Sequence, residues 1–148
     1  MSSITLRFPV EHESVGADGL VHGGTVMRWI DQAGHACATH WARASCTLVY
    51  CSSIRLRRLA RLGDLIEVQS RLAFTGEHNM NITVEVRCGK PSDEALHDMA
   101  DCLVVYLALD AHGKQVRVNH WAPETPGEMA LAKSAREKFD STRPAPLE

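Results

Sequence analysis

From Gly24 to Ala42 the chain reads GTVMRWIDQAGHACATHWA, the one long stretch whose apolar side chains recur at helical spacing. At about 100° per residue, Val26, Ile30, Ala33, Gly34, Cys37 and Trp41 share one broad face, while Arg28, Gln32, His35 and Thr39 lie opposite. Asp31, in the second turn of the expected helix over 24–42, falls on the border between the two. Many positions on or beside the apolar face are small: Ala33, Gly34, Ala36, Cys37 and Ala38. A helix that is apolar over a wide arc and small-sided can press closely against a sheet.

The flanking segments supply the sheet. Residues 4–10, ITLRFPV, read as a short first strand and 11–20 as a loop. After the helix, 46–59 is extended and ends in a basic run. Residues 64–75 alternate, with Ile66, Val68, Leu72 and Phe74 on one face. In 79–88, Met80, Ile82, Val84, Val86 and Cys88 alternate against Asn79, Asn81, Thr83, Glu85 and Arg87. Such alternation marks half-buried antiparallel strands, and the link TGEHN joins these two as a hairpin. The apolar run 102–110 suits a central strand covered on both faces. A turn at Ala111–Gly113 follows, with QVRV as a final short strand. Residues 126–140 are weakly helical and mostly polar, and the end, STRPAPLE, reads as loose. The expected class is α+β: a curved antiparallel sheet wrapped around one long central helix, with one domain over 1–125 and a C-terminal helix and tail over 126–148.

Composition narrows the function classes. A net charge of −2 gives no reason to expect a nucleic-acid or anionic-membrane partner. The five cysteines, Cys37, Cys46, Cys51, Cys88 and Cys102, are scattered and form no CxxC pair, which argues against a disulfide framework or a zinc site. The N-terminal segment lacks the apolar centre of a signal peptide, and no apolar run approaches membrane-spanning length. A reduced, cytoplasmic protein is expected. No HExxH, GxSxG, Walker A or GxGxxG motif is present, which argues against a serine hydrolase, a P-loop enzyme and a dinucleotide-binding enzyme.

Three features could carry chemistry. An isolated Gly23–Gly24 pair is most simply a turn. At a helix N-terminus it also bares backbone N–H groups that have no intrahelical partner and carry partial positive charge, so it could hold an oxyanion. Aspartate is a poor residue inside a helix. Asp31 is therefore either a solvated side chain or a groove-facing carboxylate able to act as base or nucleophile. The run Arg55, Arg57, Arg58, Arg61 is either a solvated edge or a phosphate contact.

At this point the residues resemble a known family, the hotdog-fold acyl-CoA thioesterases. Gly19-x-x-His22–Gly23–Gly24, followed after six residues by Asp31, looks like that family's signature. Leu62–Gly63–Asp64 resembles its "xGD". Gly76-x-x-Asn79–Met80 followed by ITVEV resembles its "GxxSM" hairpin and strand. Ala108–Leu109–Asp110-x-x-Gly113–Lys114 resembles its "ALDxxGK/R". The likeness spans roughly residues 10–118.

The resemblance implies hydrolysis of an acyl-CoA to a free acid and CoA. Asp31 would be general base or nucleophile, an N–H of Gly23 or Gly24 would polarise the thioester carbonyl, and His22 would lie near the thioester. It implies sites shared between two subunits whose sheets join edge to edge, with Ser52 and Ser53 of the partner strand as candidates to hold the water. CoA phosphates are expected near the hairpin residues Gly76, His78, Asn79 and Met80, or at Arg58 and Arg61. No metal or redox cofactor is implied, and CoA enters only as part of the substrate. A homodimer is the minimal unit, with tetramer or hexamer open. The chain departs from the family at Gly16 and Leu20, where relatives carry Asn, or Asn and Asp, and at Leu56-x-x-Leu59, where "FxxP" is common. A second polar catalytic group is thus absent from its usual places. Two other readings stay open: a protein that binds acyl-CoA without turning it over, and a hydratase or dehydratase pairing His22 with Asp31.

Overall fold

The computed structural model describes residues 2–142. Strand β1 (Ser3–Pro9) leads through a loop to helix α1 (Gly23–Ala42). Strands β2 (Ser45–Cys51), β3 (Arg55–Leu56), β4 (Leu65–Thr75), β5 (Asn79–Gly89) and β6 (His97–Leu109) follow, and helix α2 (Pro126–Thr142) comes last. The sheet order is β1-β4-β5-β6-β2, antiparallel throughout, with β3 also on β6. This is the expected curved sheet around one helix.

The reason lies in α1. Val26, Trp29, Ile30, Ala33, Gly34, Cys37 and Ala38 are buried against the inner face of the sheet. Each fully buried Ile or Val contributes about 1.5–3 kcal/mol relative to exposure. The small residues let the backbone of α1 approach β6 closely. A Cβ added at Gly34 would come within 3.0 Å of the Tyr106 hydroxyl and 3.0 Å of a Val104 methyl. The helix ends on Arg43 in the left-handed conformation (φ 52°), whose N–H donates to Thr39 O at 2.8 Å.

Several boundaries differ from the expectation. The helix begins at Gly23, so Asp31 opens its third turn, not its second. The segment 46–59 is two strands, not one. Ser52 breaks it, and its side-chain Oγ accepts from Leu103 N at 2.8 Å. Strand β6 begins at His97, before the apolar run, because its polar first half still pairs with Cys88 and Arg87. QVRV forms no strand; only Gln115 bridges, to Leu109.

The outer face of the sheet is also less solvated than simple alternation suggests. A register shift between Leu72 and Phe74 inserts Ala73 as a bulge, and Phe74 turns away from the inner core. It packs with Ala73, Leu103, Leu131, Ala135 and Phe139 under α2. Asn81, expected on a solvated face, is 3% exposed. Helix α2 is thus part of the packed structure. The remainder of the loose tail, 143–148, lies outside the described residues. No helix among the described residues is long and apolar enough to cross a membrane.

Candidate functional site

Asp31 is exposed on the flank of α1, yet its carboxylate is tied to the sheet. The hydroxyl of Tyr106, on β6, donates to Asp31 Oδ1 at 2.6 Å and lies 3.2 Å from the Asp31 carbonyl oxygen. Tyr106 is fully buried. Burial, and then the Asp31 carboxylate, push the phenol well above its ordinary value, so it remains a donor.

Two thiols share this face. Cys51, half-buried at the end of β2, is lowered to about 7 by a hydrogen bond with Cys102, against burial and the charge of Asp31. Cys102 moves upward, because it gives that hydrogen bond and is buried. Among the described residues no group of three or more His, Cys, Asp or Glu side chains could hold a metal ion.

The glycine pair is open. The N-cap residue His22 makes no side-chain capping bond. Thr25 and Val26 N–H groups both return to His22 O, at 3.0 and 3.2 Å, and leave those of Gly23 and Gly24 outside the helical ladder. Nothing lies within 4 Å of a Cβ built at either glycine. The His22 ring rests against Gly16, where an added Cβ would meet it at 2.7 Å. The ring therefore occupies the space that a larger residue at position 16 would take.

The candidate residues fall into two groups. Beside the start of α1 lie His22, Gly23 and Gly24, with Arg61 close by, since Val21 N donates to Ala60 O and Leu20 bridges Arg61. Arg58 lies at the same end, close enough to Cys88 to bias its thiol. Around Asp31 lie Tyr106 and Cys51, and the end of the 76–80 hairpin, since Met80 pairs with Tyr106. Met80 and Cys88 are separated by about 26 Å of strand. The eight residues from Gly23 to Asp31 rise about 12 Å along α1. One protomer therefore cannot bring the glycine N–H groups and the Asp31 carboxylate to a single carbonyl.

Several candidates have structural work. Met80 is fully buried in the core. Asn79 Oδ1 accepts from Gly76 N at 3.2 Å and from Asn81 Nδ2 at 3.2 Å, which closes the hairpin. Ser52 is buried on its bond to Leu103. His78 is half-buried, with Nδ1 lacking a hydrogen-bond partner. Ser53 is exposed in a cleft of about 280 Å³ shared with Ser52, Arg55, Arg57, Asp101 and Lys138. Sequence reasoning missed Tyr106 and Cys51. Tyrosine is the one hydroxyl in the run CLVVYLAL, which was the available signal.

The chain is 27% identical over 123 residues to the cytosolic acyl coenzyme A thioester hydrolase of Rattus norvegicus, covering 82% of this chain and 32% of that protein. It thus spans about a third of the length of that relative. It is 26% identical over 113 residues to the acyl-CoA thioester hydrolase YciA of Salmonella typhimurium, covering 74% of this chain and 83% of the other. A solved apo-hexameric acyl-CoA thioesterase superposes with a TM-score of 0.88 at 20% identity, covering 95% of this chain and 90% of that one, and so shares the fold. The sequence profile of the Thioesterase superfamily matches residues 18–95, which include the glycine pair, Asp31 and the first four strands after α1, and the chain belongs to that superfamily.

Proposed function

We propose that the chain hydrolyses the thioester of an acyl-CoA to a free acid and CoA, in a site built from two copies of itself. Asp31 acts as general base on water or as nucleophile. The N–H of Gly23 or Gly24 from the second copy holds the oxygen that becomes negative in the tetrahedral intermediate. The observation that carries this reading is the 2.6 Å bond that fixes a surface-facing carboxylate on a helix whose own N-terminus is left bare.

The rise of about 12 Å along α1 from Gly23 to Asp31 supports a homodimer as minimal unit, because only a second copy can supply the missing half. The exposed edge strand β2, with Leu48 at 41% and Val49 at 54% exposure, supplies a surface for joining sheets. Further assembly follows the hexameric relative. CoA is part of the substrate, and the reaction needs no metal or redox cofactor. Its phosphates meet the basic side chains Arg58 and Arg61 beside the glycine half-site. The cytosolic relative and five free thiols support a cytoplasmic setting.

A panel of short, branched, aromatic and long acyl-CoAs, assayed with a thiol reagent, tests the reading. Steady thiol release from at least one member is expected. Saturable binding with no turnover across the panel would instead make the chain a thioester-binding protein.

A further inference from the structure

We infer that Tyr106 is a positioning residue for this site: its hydroxyl, seated in the space left by Gly34, holds one oxygen of the Asp31 carboxylate and leaves the other free to work on water or substrate. The inference rests on the reading of Asp31 given above.

Three observations converge on it. The first is the bond itself, 2.6 Å from Tyr106 Oη to Asp31 Oδ1, within the range of charge-assisted O–H···O bonds. The second is burial. Tyr106 is 0% exposed in a run of aliphatic side chains, where phenylalanine would fill the same volume. A hydroxyl buried there is costly unless it is paired, and both of its hydrogen bonds go to Asp31. The third is the gap above it. Gly34 follows Asp31 by three residues, on the adjacent turn of the same face. A Cβ at position 34 would stand 3.0 Å from the Tyr106 hydroxyl and 3.1 Å from its ring. Helix interiors disfavour glycine by about 1 kcal/mol against alanine. Here that cost leaves room for the phenol.

The chemical consequence is directional. A phenol that stays protonated stabilises the ionised form of its partner carboxylate. It also restricts the Asp31 rotamer, so that the second oxygen faces the groove in a fixed direction, which is how positioning contributes to rate. The other titratable groups around the carboxylate are Cys51 on β2, Cys102 on β6, and His35, whose ring meets the Tyr106 ring edge-on at 5.8 Å.

Tyr106→Phe removes the hydroxyl alone. In a Cys51→Ala background, so that the thiol does not add its own titration, it should lower kcat about tenfold and leave KM within about twofold. The acid limb of kcat/KM should move to higher pH, because the working carboxylate loses a donor. The carboxyl ¹³C resonance of Asp31, followed across the same pH range, should differ from the parent's, and this readout does not require turnover. An unmoved carboxyl titration overturns the positioning role even if the protein is an active thioesterase. An unmoved acid limb with kcat within about twofold of the parent overturns it as well. A moved titration in a protein that cleaves no acyl-CoA keeps the Tyr106–Asp31 pair and overturns the hydrolase reading instead.

Discussion

In the proposed mechanism the Asp31 carboxylate has to be aimed, and one neighbour on the sheet, Tyr106, holds it. Asp31→Asn keeps the size and the hydrogen-bonding oxygen but loses the basicity. It should lower kcat by about 10²–10⁴, the usual worth of a positioned acid–base group, with fold and assembly intact by circular dichroism and light scattering. Asp31→Glu should recover only part of this, because one methylene moves the carboxylate off its line. The two thiols give a second prediction. Cys51 is lowered to about 7, so alkylation by iodoacetamide should rise through that pH, while buried Cys102 stays unreacted. A midpoint near the free-thiol value of about 8.5 would count against the Cys51–Cys102 contact. Tyr106 adds a stability effect of definite sign. Its value is raised above the ordinary 10.0, so its contribution is full below that pH and is lost as pH rises beyond it. Tyr106→Phe should flatten that alkaline loss in thermal melts. The sequence exposed Asp31 through its place in an amphipathic pattern. It showed Tyr106 only as the lone hydroxyl in an apolar strand, which reads as core until that hydroxyl has a partner.

At the scale of elements, the four motifs that carried the resemblance divide by what they do. Gly63 at φ 87° and Asp64, whose Oδ2 accepts from Arg61 N at 2.9 Å, build the turn into β4. Asp110 Oδ1 accepts from His112 N and Lys114 N, at 2.8 and 2.9 Å, and Gly113 sits at φ 78°, which turns the chain after β6. Asn79 closes the β4–β5 hairpin. Those three motifs specify the fold, and only the glycine pair with Asp31 points to chemistry. The alternation of β4 and β5 was legible because one face of each packs on α1. The bulge at Ala73, the burial of Asn81 and the break at Ser52 were not, since each depends on neighbours distant in sequence: α2 over Ala73, the paired strands β4 and β6 beside Asn81, and Leu103 at the break. Helix α1 also makes a prediction of its own. Gly34→Ala should gain about 1 kcal/mol of helix propensity and lose about 1–3 kcal/mol to overpacking against Tyr106 and Val104. The expected result is a chemical-denaturation stability within about 2 kcal/mol of the parent, paired with a fall in kcat that stability does not explain. Unchanged kcat would show that the phenol can shift without consequence to Asp31.

For the whole molecule, the question is whether one copy is enough. The edge strand β2 carries exposed Leu48 and Val49 and has no strand on its outer side among the described residues, a surface that soluble proteins protect or pair. Val49→Lys should block sheet joining, and light scattering should then show a monomer where the parent is a dimer or larger. If the site is shared, that monomer should also lose thioesterase activity, although Asp31 and the glycine pair are untouched. A mixing experiment separates sharing from mere instability. Gly23 is the first residue of α1, and His22 before it has φ −72° and ψ 148°, a conformation compatible with a following proline. Gly23→Pro deletes one N–H, and Gly24→Pro, still in the first turn, deletes the next. Whichever proline variant is inactive alone is unfolded and refolded with inactive Asp31→Asn. In a two-fold dimer with shared sites, each mixed dimer has one site carrying both defects and one carrying neither. Statistical reassortment makes about half the dimers mixed, so activity should return to about a quarter of the parent's. If each protomer instead supplied both its carboxylate and its own N–H, every site in every dimer would carry a defect and no activity would return. The rise of about 12 Å from Gly23 to Asp31 leads us to expect the quarter.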